Sequence, residues 1–464
     1  MFLRDTSEIQ NHLALADALG KTMTYGELEQ LSEEYLKWIP ERSLVFILCD
    51  YHMDTVAFYY SMMNNHVVPL LLDKKLDKEL LENLIQVYRP QYIWMEKKRK
   101  LEFSSFAVVQ EYEEYILLKT PYEKYELYPE LALLLTTSGS TGSPKLVRIS
   151  YQGLIFNMNS MLKLLEIRET DRGITVLPMS YCYGLSHLHM HWLAGGSIFL
   201  NEWPVIHGKF WESVEKFGIT NFQGVPYTYE MLERSGFLGR EYPSLRFLTQ
   251  AGAKLPEERQ RFFGDKLSEK GIAFFILYGQ TEATTYLTGY HSEKNTEKLG
   301  SIGQPIFGMY ASLSDEKDGV GELVFQSESV ALGYAEKPED LRKGDECGQE
   351  LHTGDLACID EDGYIFIKGR LNRIIKMLGV RFNLDEVESL LTVNFRSASF
   401  ACTGEDNALN IYYEGELMEE EAKQFCRDKI GLYAQMLRFV KLKELPRNES
   451  GKVFYAGLSI YHDY

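Results

Sequence analysis

"LLLTTSGSTGSPKLVRIS", residues 133–150, joins two apolar runs through eight consecutive Thr, Ser and Gly residues, then Pro144 and Lys145. The flanks read as buried strands and the middle as the loop between them. Gly139 and Gly142 permit positive φ, and successive N–H groups in such backbone converge on an anion. The hydroxyls of Thr137, Ser138, Ser140 and Thr141 add donors, and Lys145 adds a positive charge. Together they suit a polyphosphate, although the composition fits a plain surface turn equally well. Ser143-Pro144 interrupts the step from Gly142 to Lys145, so the spacing is not G-x4-G-K-[ST] and a P-loop kinase or GTPase is disfavoured.

Working outward, short apolar runs alternate with amphipathic stretches. LVFILC (44–49), VVPLLL (67–72), YIWM (92–95), ITVL (174–177), RFLTQAG (246–252) and AFFILYG (273–279) read as strands. DTVAFYYSMMNN (54–65), with Asp54 as its cap, and DKELLENLIQVY (77–88) read as helices. This rhythm implies an α/β architecture with mostly parallel, helix-covered sheets. Near 320 the texture changes to antiparallel strands, GELVFQSE and LACIDEDGYIFIKGR, with a turn at Asp362-Gly363. The last 90 or so residues carry their own pattern. A strand near 373–376, a helix at 383–392, the strands SASFAC and ALNIYY, a helix from 417 and a strand RFVKL make a small α+β domain. The expected division is a large domain over 1–370, including a small β-subdomain, and a small mobile domain over 371–464. No Pro-rich linker separates them, so the boundary at 370–373 reads as a tight hinge.

Bulk properties agree. At 464 residues, 45% of them hydrophobic, the chain suggests more than one lobe. A formal charge of −18 argues against a nucleic-acid partner, whose phosphates need clustered Lys and Arg. Six scattered cysteines form no CxxC pair, so reduced thiols in a cytoplasmic protein are expected. The N-terminus lacks the layout of a signal peptide, and no apolar run approaches the roughly 18 residues of a membrane span.

The loop T-S-G-S-T-G-S-P-K resembles the phosphate-loop motif of the adenylate-forming enzymes: acyl-CoA synthetases, peptide-synthetase adenylation domains and luciferases. Other stretches are similar to that family's motifs, in its order. They are TYGEL (24–28), LPMSYCYGL (177–185), QAGAKLPEE (250–258), YGQTEA (278–283), GELVFQSESVALGY (321–334), HTGDL (352–356), GRLNRIIKMLGVRFNLDEVE (369–388) and PRNESGK (446–452). The resemblance implies ATP-dependent activation of a carboxylic acid to an acyl-adenylate, with release of pyrophosphate. Transfer to a thiol follows, either of CoA or of phosphopantetheine on a separate carrier protein, since the chain ends soon after Lys452.

Residue roles follow from the same resemblance. Lys452 would screen charge at the α-phosphate, which a carboxylate and ATP need in order to meet. Glu282 would hold Mg²⁺ beside Thr281. Tyr278 would stack on adenine while Gly252 and Ala253 line its edge. Asp355 and Arg370 would take the ribose, and Arg381 the phosphate side. The basic run Lys368, Arg370, Arg373, Lys376, Arg381 also fits a solvated face. The small domain would rotate about Asn372, where the family commonly has Asp or Lys, and Gly379 would line the thiol tunnel.

For the acid, Tyr181, Tyr183 and Gly184 stand in the acyl-pocket motif. No Asp is present there to pair with a substrate ammonium, so an α-amino acid is disfavoured and a neutral carboxylic acid expected. His187, His189 and His191 alternate, but on a helix they spread apart, which points to packing rather than a metal. Two other readings remain at this stage: adenylation with transfer to a non-thiol acceptor, and a non-catalytic nucleotide-binding scaffold of the same fold.

Overall fold

The computed structural model describes residues 5–136, 145–377, 380–405, 408–430, 432–447 and 452–461. The chain divides into two compact units. One comprises Met1–Tyr310 and Gln326–Leu351, the other Ala311–Phe325 and His352–Tyr464.

The first unit carries two α/β sheets. One has the strand order Gln304–Pro305, Thr288–His291, Ala273–Tyr278, Phe247–Gln250, Asn221–Gly224, Arg172–Ile174, Ser197–Leu200, Leu13–Asp17, Thr22–Thr24. Its middle pairs are parallel and its edge pairs antiparallel. The other runs Tyr334–Ala335, Leu146–Ser150, Leu131–Thr136, Val68–Asp73, Leu44–Cys49, Tyr92–Glu96, Tyr115–Lys119, Ala107–Glu111. Its central strands are continuous apolar runs, as parallel strands covered on both faces require. Leu44, Phe46, Leu48, Val68 and Leu70 pack there with Leu81, Leu84 and Ile85 of the helix Lys78–Tyr88.

Local chemistry sets the element ends. The TYGEL segment begins a helix, Tyr25–Leu36, through a reciprocal cap. Glu27 N–H donates to Thr24 Oγ1, and Thr24 N–H donates to the Glu27 carboxylate at 2.6 Å. Asp54 does not cap the next helix. His52 does, its Nδ1 accepting from Asp54 N–H at 3.3 Å. Asp54 lies inside the first turn, where the helix dipole favours a carboxylate. The strand expected over 174–177 is Arg172–Ile174 instead, because the backbone turns toward Pro178.

In the second unit, four strands pair in the order Tyr310–Lys317, Val320–Gln326, Glu350–Ile359, Ile365–Arg370. Gly363, at φ +82°, turns the hairpin between the last two. This ladder places residues 311–325 in one compact unit with the C-terminal part. Beyond it, the helix Leu384–Asn394, capped by Asn383, packs on the strands Ala398–Glu405, Ala408–Gly415 and Leu437–Lys441. Among the described residues no helix is long and apolar enough to cross a membrane.

Candidate active site

Strand Leu131–Thr136 runs into the Thr/Ser/Gly loop, and strand Leu146–Ser150 returns antiparallel to it, Thr136 opposite Leu146. Thr137, Ser138, Gly139, Ser140, Thr141 and Gly142 lie outside the described residues, as does Gly379. Lys145 is described. Its Nζ stands 3.6 Å from the centre of the Tyr334 ring, within cation–π range. Tyr334 reaches this place because its short strand pairs with Leu146–Ser150, Tyr334 opposite Val147. Its phenol donates to Glu282 Oε1 at 2.8 Å. Burial and the Glu282 carboxylate both push the Tyr334 phenol well above its ordinary pKa, so it remains a donor.

The YGQTEA segment is a tight turn. A Cβ at Gly279 would stand 1.8 Å from Thr285 O, and Thr284 sits at φ +69°. Ala331 N–H donates to Glu282 O at 2.8 Å, and Thr284 Oγ1 donates to Ser329 O at 2.7 Å. The turn that carries Thr281 and Glu282 is thereby stitched to the VALGY segment.

Tyr278 ends a strand parallel to Phe247–Gln250. Gly252, at φ +89°, and Ala253 follow that neighbour, and Gln250 Nε2 donates to Ala253 O at 2.8 Å. Tyr278, Gly252 and Ala253 therefore share the carboxyl edge of one parallel sheet, the edge at which open α/β sheets bind ligands. Tyr181 precedes the helix Cys182–Ala194, and Tyr183 OH bonds Thr249 Oγ1 at 2.8 Å. A Cβ at Gly184 would meet Pro178 O at 2.2 Å, so only glycine lets the helix fold against its own lead-in. Tyr286 OH bonds Ser186 Oγ and accepts from Gln223 Nε2, both at 2.7 Å. Tyr183, Ser186, Gln223, Thr249 and Tyr286 are buried and uncharged, and each has a hydrogen-bond partner within the set.

The three helix histidines are buried. His189 bonds Tyr59 OH at 2.7 Å. His191 Nδ1 donates to His187 O, and Asn221 Nδ2 donates to His191 Nε2. Desolvation pushes His189 down to about 3 and His191 down to about 4.

In the second unit Asp355 is 3% exposed, and its Oδ1 accepts from Arg370 Nε at 2.9 Å; the two residues are register partners. A Cβ at Gly369 would collide with the Asn383 amide, so the G-R pair can lie only against that cap. The side chains of Asn372, Lys376 and Arg381 lie outside the described residues. Arg373 does not lie on a solvated face. Its side chain is 13% exposed and pairs with Asp385 and Glu388. Lys452 is partly buried and precedes Val453, which bridges to Arg447. Sequence reasoning passed over Tyr334, Glu388 and Tyr455, although the first two lie inside quoted motifs.

A family model for AMP-binding enzymes matches residues 4–335. A 2-succinylbenzoate–CoA ligase of Bacillus cereus (strain Q1) is 27% identical over 433 residues, 88% of this chain and 86% of the relative. An oxalate–CoA ligase of Arabidopsis thaliana is 28% identical over 342 residues, 69% of this chain and 66% of the relative. The solved o-succinylbenzoate CoA synthetase of Bacillus subtilis, in complex with its acyl-adenylate intermediate, superimposes with a TM-score of 0.79 at 22% identity. That match covers 97% of this chain and 96% of the other. With the family model spanning well over half its length, the chain belongs to the AMP-binding enzymes, the adenylate-forming superfamily that includes the acyl-CoA synthetases.

Proposed function

We propose that this chain is an AMP-forming acid–CoA ligase. In the first step a carboxylate oxygen bonds to the α-phosphorus of ATP, the α–β P–O bond breaks, and pyrophosphate leaves. In the second, a thiol sulfur attacks the acyl carbonyl, the carbonyl–O–AMP bond breaks, and AMP leaves with the electron pair. The observation that carries this reading is the meeting of Lys145, Tyr334 and Glu282 where the Thr/Ser/Gly loop returns to the sheet. A cation and a carboxylate held apart by one aromatic ring offer two kinds of partner to a triphosphate: a direct positive charge and a ligand for a metal.

Mg²⁺ suits the residues present. It is usually held by one or two carboxylates, with phosphate oxygens and water completing its shell. Glu282, at the turn and oriented by Tyr334, supplies one. When bound, the ion would withdraw charge from the phosphate oxygens. Lys145 and residues 137–142 grip the phosphates, Tyr278 with Gly252 and Ala253 holds adenine, and Asp355 with Arg370 holds the ribose. Lys452 and Arg381 meet the charge that develops at the α-phosphate. The domain over 371–464 turns about Asn372 between the two steps, and the thiol enters past Gly379.

The acid is neutral beyond its reacting carboxylate. The buried set around the acyl-pocket helix, Tyr183, Ser186, Gln223, Thr249 and Tyr286, contains no charge to pair with an ammonium or a second carboxylate. CoA is the acceptor by kinship with the CoA ligases; phosphopantetheine on a carrier protein presents the same thiol. None of the six cysteines is in a disulfide among the described residues, which fits a cytoplasmic enzyme.

ATP–pyrophosphate exchange tests the reading. The panel is benzoate, hexanoate, 2-succinylbenzoate, oxalate and alanine. Exchange with benzoate or hexanoate, and thioester on adding CoA, is expected. Exchange with none of the five overturns the reading, and exchange with alanine, oxalate or 2-succinylbenzoate but with neither benzoate nor hexanoate overturns the neutral-acid assignment.

A further inference from the structure

A second cluster lies wholly within the C-terminal unit. Glu388, on the helix Leu384–Asn394, is largely buried, and its carboxylate gathers three donors. Oε1 accepts from Arg373 Nη2 and from Cys402 N–H, each at 2.5 Å, and Oε2 accepts from Tyr455 OH at 2.9 Å. The Arg373 guanidinium also pairs with Asp385 at 2.5 Å and lies 4.0 Å from the centre of the Tyr455 ring. Burial pushes the Glu388 carboxyl up to about 7 against the pull of Arg373 and these donors.

The two ends of this cluster are informative. Arg373 directly follows Asn372, the proposed hinge. Tyr455 stands three residues after Lys452, so their Cα atoms are at most about 11 Å apart. The rest of the lysine's segment is fastened too. Val453 bridges to Arg447, and Phe454 N–H donates to Pro446 O at 2.7 Å. Glu414 accepts from Leu445 N–H at 2.6 Å and pairs with Arg447 at 3.0 Å. Leu458 is fully buried with Leu442 and Leu445. Tyr455 is thus the point at which this fastened segment is tied, through one carboxylate, to the backbone just past the hinge.

We propose that Arg373, Glu388 and Tyr455 are positioning residues that lock the Lys452 segment to the hinge side of the C-terminal domain, so that Lys452 is delivered to the α-phosphate in the first half-reaction. This rests on the adenylation reading above. The second half-reaction has no use for Lys452, and the lock is dispensable there.

The test uses the full chain carrying Tyr455→Phe, which keeps the ring under Arg373 and removes only the hydroxyl, and Glu388→Gln as a second variant. Two readouts are needed. Hydrogen exchange read by mass spectrometry reports the lock without any substrate: amides over 453–458 are expected to exchange at least about 5-fold faster, the loss of roughly one net hydrogen bond. Turnover is read with benzoate or hexanoate, as pyrophosphate exchange and as thioester formation from the supplied acyl-adenylate and CoA. Adenylation is expected to fall about 10-fold while thioester formation stays within about 2-fold, a split that loss of folding does not produce. Equal falls in both half-reactions, or unchanged amide exchange over 453–458, overturn the proposal. If the wild type activates none of the five acids of the panel, the enzymatic reading fails while the exchange experiment still decides whether the lock exists.

Discussion

The phenol of Tyr334 donates a 2.8 Å hydrogen bond to the Glu282 carboxylate while its ring lies under Lys145. One side chain thereby orients both the proposed metal ligand and the lysine proposed to bind phosphate. Removing only the hydroxyl separates these effects. Tyr334→Phe keeps the ring for Lys145 and frees Glu282 to rotate. Loss of a hydrogen bond to a metal ligand typically costs 10–100-fold in metal affinity. The Mg²⁺ concentration for half-maximal pyrophosphate exchange is expected to rise about 10-fold, with little change in thermal stability. A Mg²⁺ titration superimposable on the wild type would refute the role.

Lys452→Ala removes the charge assigned to the α-phosphate in the first step only. Adenylate formation is expected to fall by at least about 100-fold, the scale of one lost electrostatic contact in a transition state. Thioester formation from supplied acyl-adenylate should stay largely intact. Single-turnover assays of each half-reaction check this, and parallel losses would contradict the two-conformation mechanism.

Much of this site was legible because its motifs are local. TYGEL encodes a capping box, QAGAK a turn with a left-handed glycine, and YGQTEA a turn in which Gly279 has no room for a Cβ. Each is a backbone demand met by neighbouring residues, and the sequence displays it directly. The alternation of apolar and amphipathic runs likewise displays the α/β sheets. Pairings made at a distance were not legible. Tyr334 and Glu282 are 52 residues apart, and Glu388 and Tyr455 are 67 apart. Arg373 shows the same blindness from the other side. In a run of basic residues it reads as solvated, yet Asp385 and Glu388 on the adjoining helix neutralise it in place. No local pattern announces that a charge has found its partners.

Arg148 offers a test of stability in the large unit. It is completely buried in the strand that follows the phosphate loop. Its guanidinium donates to Leu332 O at 2.7 Å, Lys343 O at 2.6 Å, Gly344 O and Tyr334 O at 3.2 Å, and pairs with Glu346 at 2.5 Å. Arg148→Met would take a donor from each of those carbonyls, Leu332 O keeping only Glu346 N–H at 3.0 Å, and loosen the strand that presents Tyr334. Glu346 is 43% exposed and stays hydrated without its partner, so the cost falls on the buried carbonyls, and a loss of about 2–3 kcal/mol is expected. Urea denaturation followed by tryptophan fluorescence measures it, fitted for more than one transition because the chain has two units. A loss below about 1 kcal/mol would show that the carbonyls find other donors.

The buried histidines set an acid limit on the same unit. His189 is held neutral in the fold, at about 3, with Tyr59 as its partner, whereas an unfolded histidine titrates near 6.5. The folded value is depressed, so the unfolded chain binds the proton first as pH falls. The stability is complete above about 6.5 and is lost progressively down to about 3, with a limiting contribution of about 5 kcal/mol from this one residue. His191 adds a smaller term over the narrower window down to about 4. His189→Gln retains a hydrogen-bonding partner for Tyr59 but cannot take up a proton in either state. The variant is expected to be less stable than the wild type at pH 7.5 and to close that gap as pH falls from 6.5 to 4.5. Denaturant midpoints for both proteins across that range supply the comparison, and a gap that stays constant with pH would mean that His189 takes up its proton alike in the folded and the unfolded chain.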